Sequence, residues 1–161
     1  MNTVGRVYTV SFFGHRNIEN VLKIEQKLKN LIKKIIAERH FVEFLVGRNG
    51  DFDKIVASCI VSLKKSYRND NSVLILVLPY PTAEYLNNAA SFEEYFDEIE
   101  ICNKSEKAHF KSAIQIRNRH MIDRSDLIIC YLNKKCGGAY QSVRYAMDNG
   151  QAIINIAEIS E

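Results

Sequence analysis

The chain has 161 residues, of which 47% are hydrophobic and 25% charged, with a formal net charge of +3. That length suits one domain, and that composition excludes a disordered or fibrous chain. The weak positive balance is spread along the sequence rather than gathered into a stripe, so nucleic acid is not an expected partner, and no apolar run approaches the length of a membrane span.

Arg6 to Gly14, RVYTVSFFG, reads as a strand rich in β-formers. Asn17 is predicted to cap the following helix, with Glu19 in its first turn. Ile18, Val21, Leu22, Leu28, Leu31, Ile32, Ile35 and Ile36 mark its apolar face, and Lys23, Lys27, Lys29, Lys33 and Lys34 its wet one. Phe41 to Gly47 is a second strand. Asp51 to Arg68 is a second helix that carries Ile55, Val56, Cys59, Ile60 and Leu63 inward. Val73 to Leu78, VLILVL, is unbroken and apolar, as in a strand covered on both faces. Pro79 and Pro81 end it. Thr82 to Asp97 is aromatic and acidic and shows no regular period; Tyr85, Phe92, Tyr95 and Phe96 within it read as core residues, or else as a lid or contact surface. A weaker strand, Asp97 to Cys102, precedes a helix over Ser112 to Asp123 and a buried strand over Leu127 to Leu132. Gly138 to Asn149 is the last helix, stopped by Asn149-Gly150. Ala152 to Ala157 is the last strand.

Alternation of strands and helices with apolar strands implies an α/β fold: a single Rossmann-like domain over residues 1–161, with a mostly parallel sheet flanked by helices. The start, Met1 to Arg6, lacks the charge and apolar core of a signal peptide. Cys59, Cys102 and Cys130 lie in apolar segments, and with Cys136 they form no zinc spacing. Reduced thiols, a cytoplasmic location, and no metal or cofactor are the expectations.

In such folds ligands sit beyond the carboxyl ends of the strands, near a switch in strand order. Four loops meet that criterion. Gly14, His15 and Arg16 follow the first strand, where a helix start offers free N–H groups and Arg16 a forked donor. Gly47, Gly50 and Asp53 follow the second, in an incomplete glycine fingerprint. Asp53 either accepts from a sugar hydroxyl or serves the helix end. In Gln115 to Asp126, Arg117 and Arg119 cannot share a helical face, so one of them points into the cleft and the other pairs with Asp123. The last loop holds Gly137, Gly138, Ala139, Tyr140 and Gln141. It is either a turn that packs helix on strand or a cradle whose backbone N–H groups, with Tyr140, Gln141 and Ser142, meet an anion.

SFFGHR, the glycine loop ending in Asp53, RNRHMIDRSDLIICY and GGAYQSVRYAMDNGQAIINI together resemble the SLOG superfamily, nearest its YpsA/DUF1273 branch. The resemblance covers nearly the whole chain. It is strongest from Arg117 to Ile156 and weakest from Thr82 to Lys111. It implies a Rossmann-like fold that binds nucleotides or molecules derived from them. Relatives in that superfamily include the LOG enzymes, which hydrolyse the N-glycosidic bond of nucleoside monophosphates, DNA-processing proteins of the DprA type, and sensors of cyclic ADP-ribose isomers. The LOG pattern of arginine and, four residues on, methionine matches Arg117 and Met121. Its PGGxGTxxE stretch does not survive intact. Cys136 replaces the proline, Gly137 and Gly138 match, Tyr140 and Gln141 replace the glycine and threonine, and Arg144 stands where the catalytic glutamate would be. An arginine stays protonated and cannot stabilise an oxocarbenium-like centre.

The expected function is therefore binding, as a sensor or sequestering protein, of an ADP-ribose-like or nucleoside phosphate molecule. The ligand-binding set is Gly14, His15, Arg16, Gly47, Gly50, Asp53, Arg117, Gly137, Gly138, Ala139, Tyr140 and Gln141. One alternative is an N-glycosidase of altered active site, with His15 or Asp53 as acid or base. Another is a regulatory protein-interaction module. The resemblance also implies a homodimer. Arg117→Ala and Gly138→Asp are expected to abolish binding without unfolding the protein.

Overall fold

Six strands form one sheet in the order β4-β3-β2-β1-β5-β6, and every neighbouring pair is parallel. The computed structural model describes residues 5–160. The reading of the chain start as free of a signal peptide falls mostly on residues 1–4, outside the described residues.

The strands are β1 (Val7–Gly14), β2 (Phe41–Val46), β3 (Ser72–Leu78), β4 (Glu98–Ile101), β5 (Leu127–Tyr131) and β6 (Ile153–Asn155). The helices are α1 (Val21–Glu38), α2 (Asp51–Ser66), α3 (Ala83–Asn87), α4 (Ala89–Tyr95), α5 (Phe110–Asp123) and α6 (Gly138–Asp148). A 3-10 turn, Ile156–Glu158, closes the described chain and trims the last strand to three residues.

Alternate side chains of each central strand enter two cores. Val10, Phe12, Phe44, Leu74, Leu76 and Ile129 pack beneath α1, α2 and α4. Phe13, Leu45, Ile75, Val77, Ile128 and Cys130 pack beneath α5 and α6. Both faces of the sheet are thus covered, which is why β3 reads as an unbroken apolar run. The chain winds outward from β1 through β2 and β3 to β4, then returns to place β5 on the other side of β1. The order switches between β1 and β5, and a crevice opens at their carboxyl ends.

Two stretches depart from the sequence reading. Asn17 does not cap α1, which starts at Val21 after Asn20 and without a side-chain cap. Ile18 is buried ahead of the helix, and its N–H donates to the Asp51 carboxylate at 3.1 Å. That long-range bond delays the helix. Val21 and Leu22 are consequently exposed, and Ile24 takes the inward place. The second stretch is Thr82 to Asp97, which is helical. Thr82 Oγ1 accepts the Tyr85 N–H to cap α3, and α4 follows after one residue. Phe92 and Phe96 are buried, Tyr85 packs against them, and Tyr95 remains largely exposed. Both helices are too short to show a helical period in sequence.

No described helix is long and apolar enough to cross a membrane. Burial pushes the Cys59 and Cys130 thiols up to about 12. Those two are packing residues rather than nucleophiles.

Candidate functional site

A cleft of about 490 Å³ lies at the carboxyl ends of β1, β2 and β5, between α5 and the start of α6. Four sequence segments reach it: Phe12 to Asn17, the β2–α2 loop with Gly47, Asn49 and Asp53, the inner face of α5 from Lys111 to Asn118, and the β5–α6 loop from Lys134 to Ala139.

Its floor is made by Arg117 and Asp53. Arg117 is 1% exposed and is among the largest fully buried side chains. Its Nη1 donates to the Val77 carbonyl at 2.7 Å and its Nε to Asn118 Oδ1 at 2.8 Å. Those two bonds fix the guanidinium at the foot of the cleft. Asp53 is half-buried among the residues that line the cleft, and its Oδ2 accepts the Asn49 N–H at 2.8 Å. Burial pushes the Asp53 carboxyl up, against the pull of the Asn49 N–H and the Arg117 charge. Burial likewise pulls the Arg117 guanidinium down, and the Asp53 charge opposes it.

Gly47 stands between the two charges. A Cβ on it would lie 3.1 Å from Arg117 Nη1 and 3.2 Å from Asp53 Oδ2. Only a residue without a side chain leaves both groups where they are.

The far wall is the start of α6. Gly137 precedes it with φ of 95°, a conformation that excludes most residues. No side chain caps this end, so the first N–H groups of α6 point outward without intrahelical partners. A chain of hydrogen bonds ties this wall to the floor. Asn118 Nδ2 donates to Ser142 Oγ at 3.0 Å, and Ser142 Oγ donates to the Gly138 carbonyl at 3.0 Å. Gln115 Nε2 adds a 3.4 Å contact to the same carbonyl.

The near wall is Gly14, His15 and Arg16. His15 Nε2 accepts the Asn133 N–H at 3.2 Å. Burial, then the Lys134 charge, pulls its pKa down. Arg16 is exposed on the rim, and its guanidinium makes no ion pair among the described residues.

Of the expected ligand-binding residues, Gly14, His15, Arg16, Gly47, Asp53, Arg117, Gly137, Gly138 and Ala139 converge on the cleft. Three do not. Gly50 lies against the Arg16 backbone, where it packs the loop rather than lining the cleft. Tyr140 points along α6, its hydroxyl accepting from Arg144 Nη1 at 3.2 Å. Gln141 is exposed outside the cleft. Past the first turn the α6 side chains rotate away from the opening. Arg119 does not pair with Asp123; it lies over the Tyr145 ring, and the Tyr145 hydroxyl donates to Asp123 at 2.6 Å.

Lys111, Lys134, Asn49 and Asn118 also line the cleft, and the sequence reading did not select them. Lys134, three residues before Gly137, carried a usable signal: a cation beside a glycine pair at a strand end. Asn118 carried none, because its partner Ser142 is 24 residues away.

No protein-family model and no curated protein matches the sequence. Among solved structures, DNA processing protein A (DprA) from Streptococcus pneumoniae has a similar fold. It matches with a TM-score of 0.67 and 14% sequence identity, over 92% of this chain and 50% of that one. The described residues therefore form an α/β domain of Rossmann-like architecture. More narrowly, its fold is DprA-like, and it spans about half the length of that structure.

Proposed function

We propose that the cleft binds a nucleotide-derived ligand, either a nucleoside phosphate or an ADP-ribose-like molecule, and that the protein senses or sequesters it. The observation that carries this reading is the charge of the lining: Arg16, Lys111, Arg117 and Lys134 stand against one carboxylate, Asp53. Arg117 and Asp53 face each other on the floor, which leaves three rim cations unbalanced next to the open N-terminus of α6. Such a rim favours an anion. The floor offers a donor and an acceptor side by side, which suits a hydroxylated group such as a ribose. Arg144 bonds to Tyr140 on the helix surface, away from the cleft, and supplies no hydrolytic carboxylate. Membership of the SLOG superfamily near its YpsA/DUF1273 branch, and a cytoplasmic location, belong to this reading.

Thermal denaturation with AMP, ADP-ribose, cyclic ADP-ribose isomers and inorganic phosphate tests it. A ligand present at about a hundred times its Kd adds roughly 2.7 kcal/mol. For a chain of this size that raises the melting temperature by about 8 °C. A folded protein that none of the nucleotides stabilises overturns the proposal.

A second reading, N-glycosidic hydrolysis, is favoured by one fact: His15 and Asp53 both line the cleft. Chromatography for free base after mixing with nucleoside monophosphates decides it. Turnover that persists in both His15→Ala and Asp53→Ala removes these residues from the catalytic role.

A further inference from the structure

The outer end of the cleft-facing stripe of α5 is an aromatic ring in water. Phe110, the first residue of α5, is 61% exposed and lies just beyond the residues that line the cleft. Ile114 and Arg117 follow it by four and seven residues and so share its helix face. Both line the cleft, as does its neighbour Lys111. At about 1.5 Å per residue, Phe110 lies roughly 10 Å outward from Arg117 along the helix axis.

The ring is stacked on its neighbour in the chain. His109 is the N-cap of α5, and its Nδ1 accepts the Lys111 N–H at 3.2 Å. The His109 ring stacks on Phe110 with centroids 4.7 Å apart and planes at 27°. One face of Phe110 is thus covered by a ring fixed to the backbone, and the rest of it meets solvent. A planar aromatic ligand that entered from the cleft would extend the stack in the offset manner that aromatic pairs prefer.

We propose that Phe110 is the stacking platform for the base of the ligand. The inference rests on the nucleotide reading above and adds its orientation: anionic groups at the rim cations and the start of α6, base outward over α5. Every base presents a π-face, so this contact separates base-bearing from base-free ligands and discriminates little among bases.

Calorimetric titration of wild type, Phe110→Ala and Phe110→Trp with AMP, ADP-ribose and ribose 5-phosphate tests it. Phe110 is exposed and supports no core, so the variants fold. Wild type should bind AMP or ADP-ribose about tenfold or more tightly than ribose 5-phosphate, the scale of one stacked base. Phe110→Ala should lose that advantage and keep its ribose 5-phosphate affinity. The chain has no tryptophan, so Phe110→Trp introduces a single indole. It should restore affinity, and its fluorescence should change with AMP and not with ribose 5-phosphate. If wild type binds a base-bearing ligand and Phe110→Ala binds it equally well, the platform is wrong and the nucleotide cleft stands. If wild type binds none of the three compounds, both fail.

Discussion

Replacing Arg117 by methionine tests whether the floor of the cleft is built from buried charge. The guanidinium is 1% exposed and satisfies two buried acceptors, the Val77 carbonyl and Asn118 Oδ1. Methionine keeps most of the apolar volume and adapts to the space, so little of the cost comes from a cavity. Both acceptors lose their donor, at about 1–3 kcal/mol each. Asp53 loses the opposite charge that partly offsets its burial. Together these amount to about 2–5 kcal/mol. At roughly 2–4 °C per kcal/mol, the melting temperature should fall by about 10 °C. Arg117→Ala, expected to leave the protein folded, should by the same argument leave it folded at a lower melting temperature, because the same side chain serves site and core. Circular-dichroism melts and urea titrations measure the loss. A parallel melt with AMP or ADP-ribose should show none of the ligand-induced rise expected for wild type. A variant that melts within about 2 °C of wild type would refute the reasoning, because it would mean that neither acceptor depends on Arg117.

Gly138→Asp should leave stability unchanged and abolish binding of phosphorylated ligands. Its new Cβ would meet only the flexible Gln115 amide, at 3.2 Å, and a carboxylate suits a helix start in the absence of ligand. Retention of wild-type affinity for AMP in calorimetry would move the phosphate elsewhere. Asp53→Asn should flatten the pH dependence of stability, while it also takes from the buried Arg117 the charge that offsets its burial. Burial raises the folded-state pKa of Asp53, so the folded protein keeps that proton to higher pH than the unfolded one. Stability is then lost as pH rises from about 4 through the folded value, and the neutral amide removes that loss. Melts of both proteins from about pH 4 to pH 8 should show the flatter profile in the variant, and identical profiles would exclude a raised pKa.

The elements that sequence specified well are those whose signals are local. Val73 to Leu78 is apolar at every position because helices cover both faces of β3, and its limits in the structure differ by one residue. Asn149-Gly150 stops α6 where expected, with Gly150 at φ of 71°. The start of α1 was misread because the deciding group, Asp51, is 33 residues from Ile18. No window of helical length contains both. Tyr140 and Gln141 were misplaced for a different reason: residue type names possible donors, but helical phase decides which way they point, and α6 turns them away from the cleft after Ala139.

The cleft divides along the same line. Its rim, with Arg16, Lys134 and the glycine pair, consists of exposed groups whose chemistry is visible in short strings. Its floor is a network whose partners lie far apart in sequence: Arg117 with Val77, 40 residues away, and Asn118 with Ser142, 24 away. A motif can mark Arg117 as important without showing that it is buried. This difference has an energetic consequence. A rim side chain contributes its interaction only when ligand is present, so changing Lys134 or Arg16 should alter affinity and not stability. A floor side chain satisfies buried acceptors whether or not ligand is bound, so its loss is felt by the empty protein. The Asn118–Ser142–Gly138 chain joins the two, since it connects the residue that holds Arg117 to the carbonyl at the start of α6. Disturbance of the floor should therefore reach the anion-facing turn through three hydrogen bonds, whereas loss of a rim cation has no such path inward.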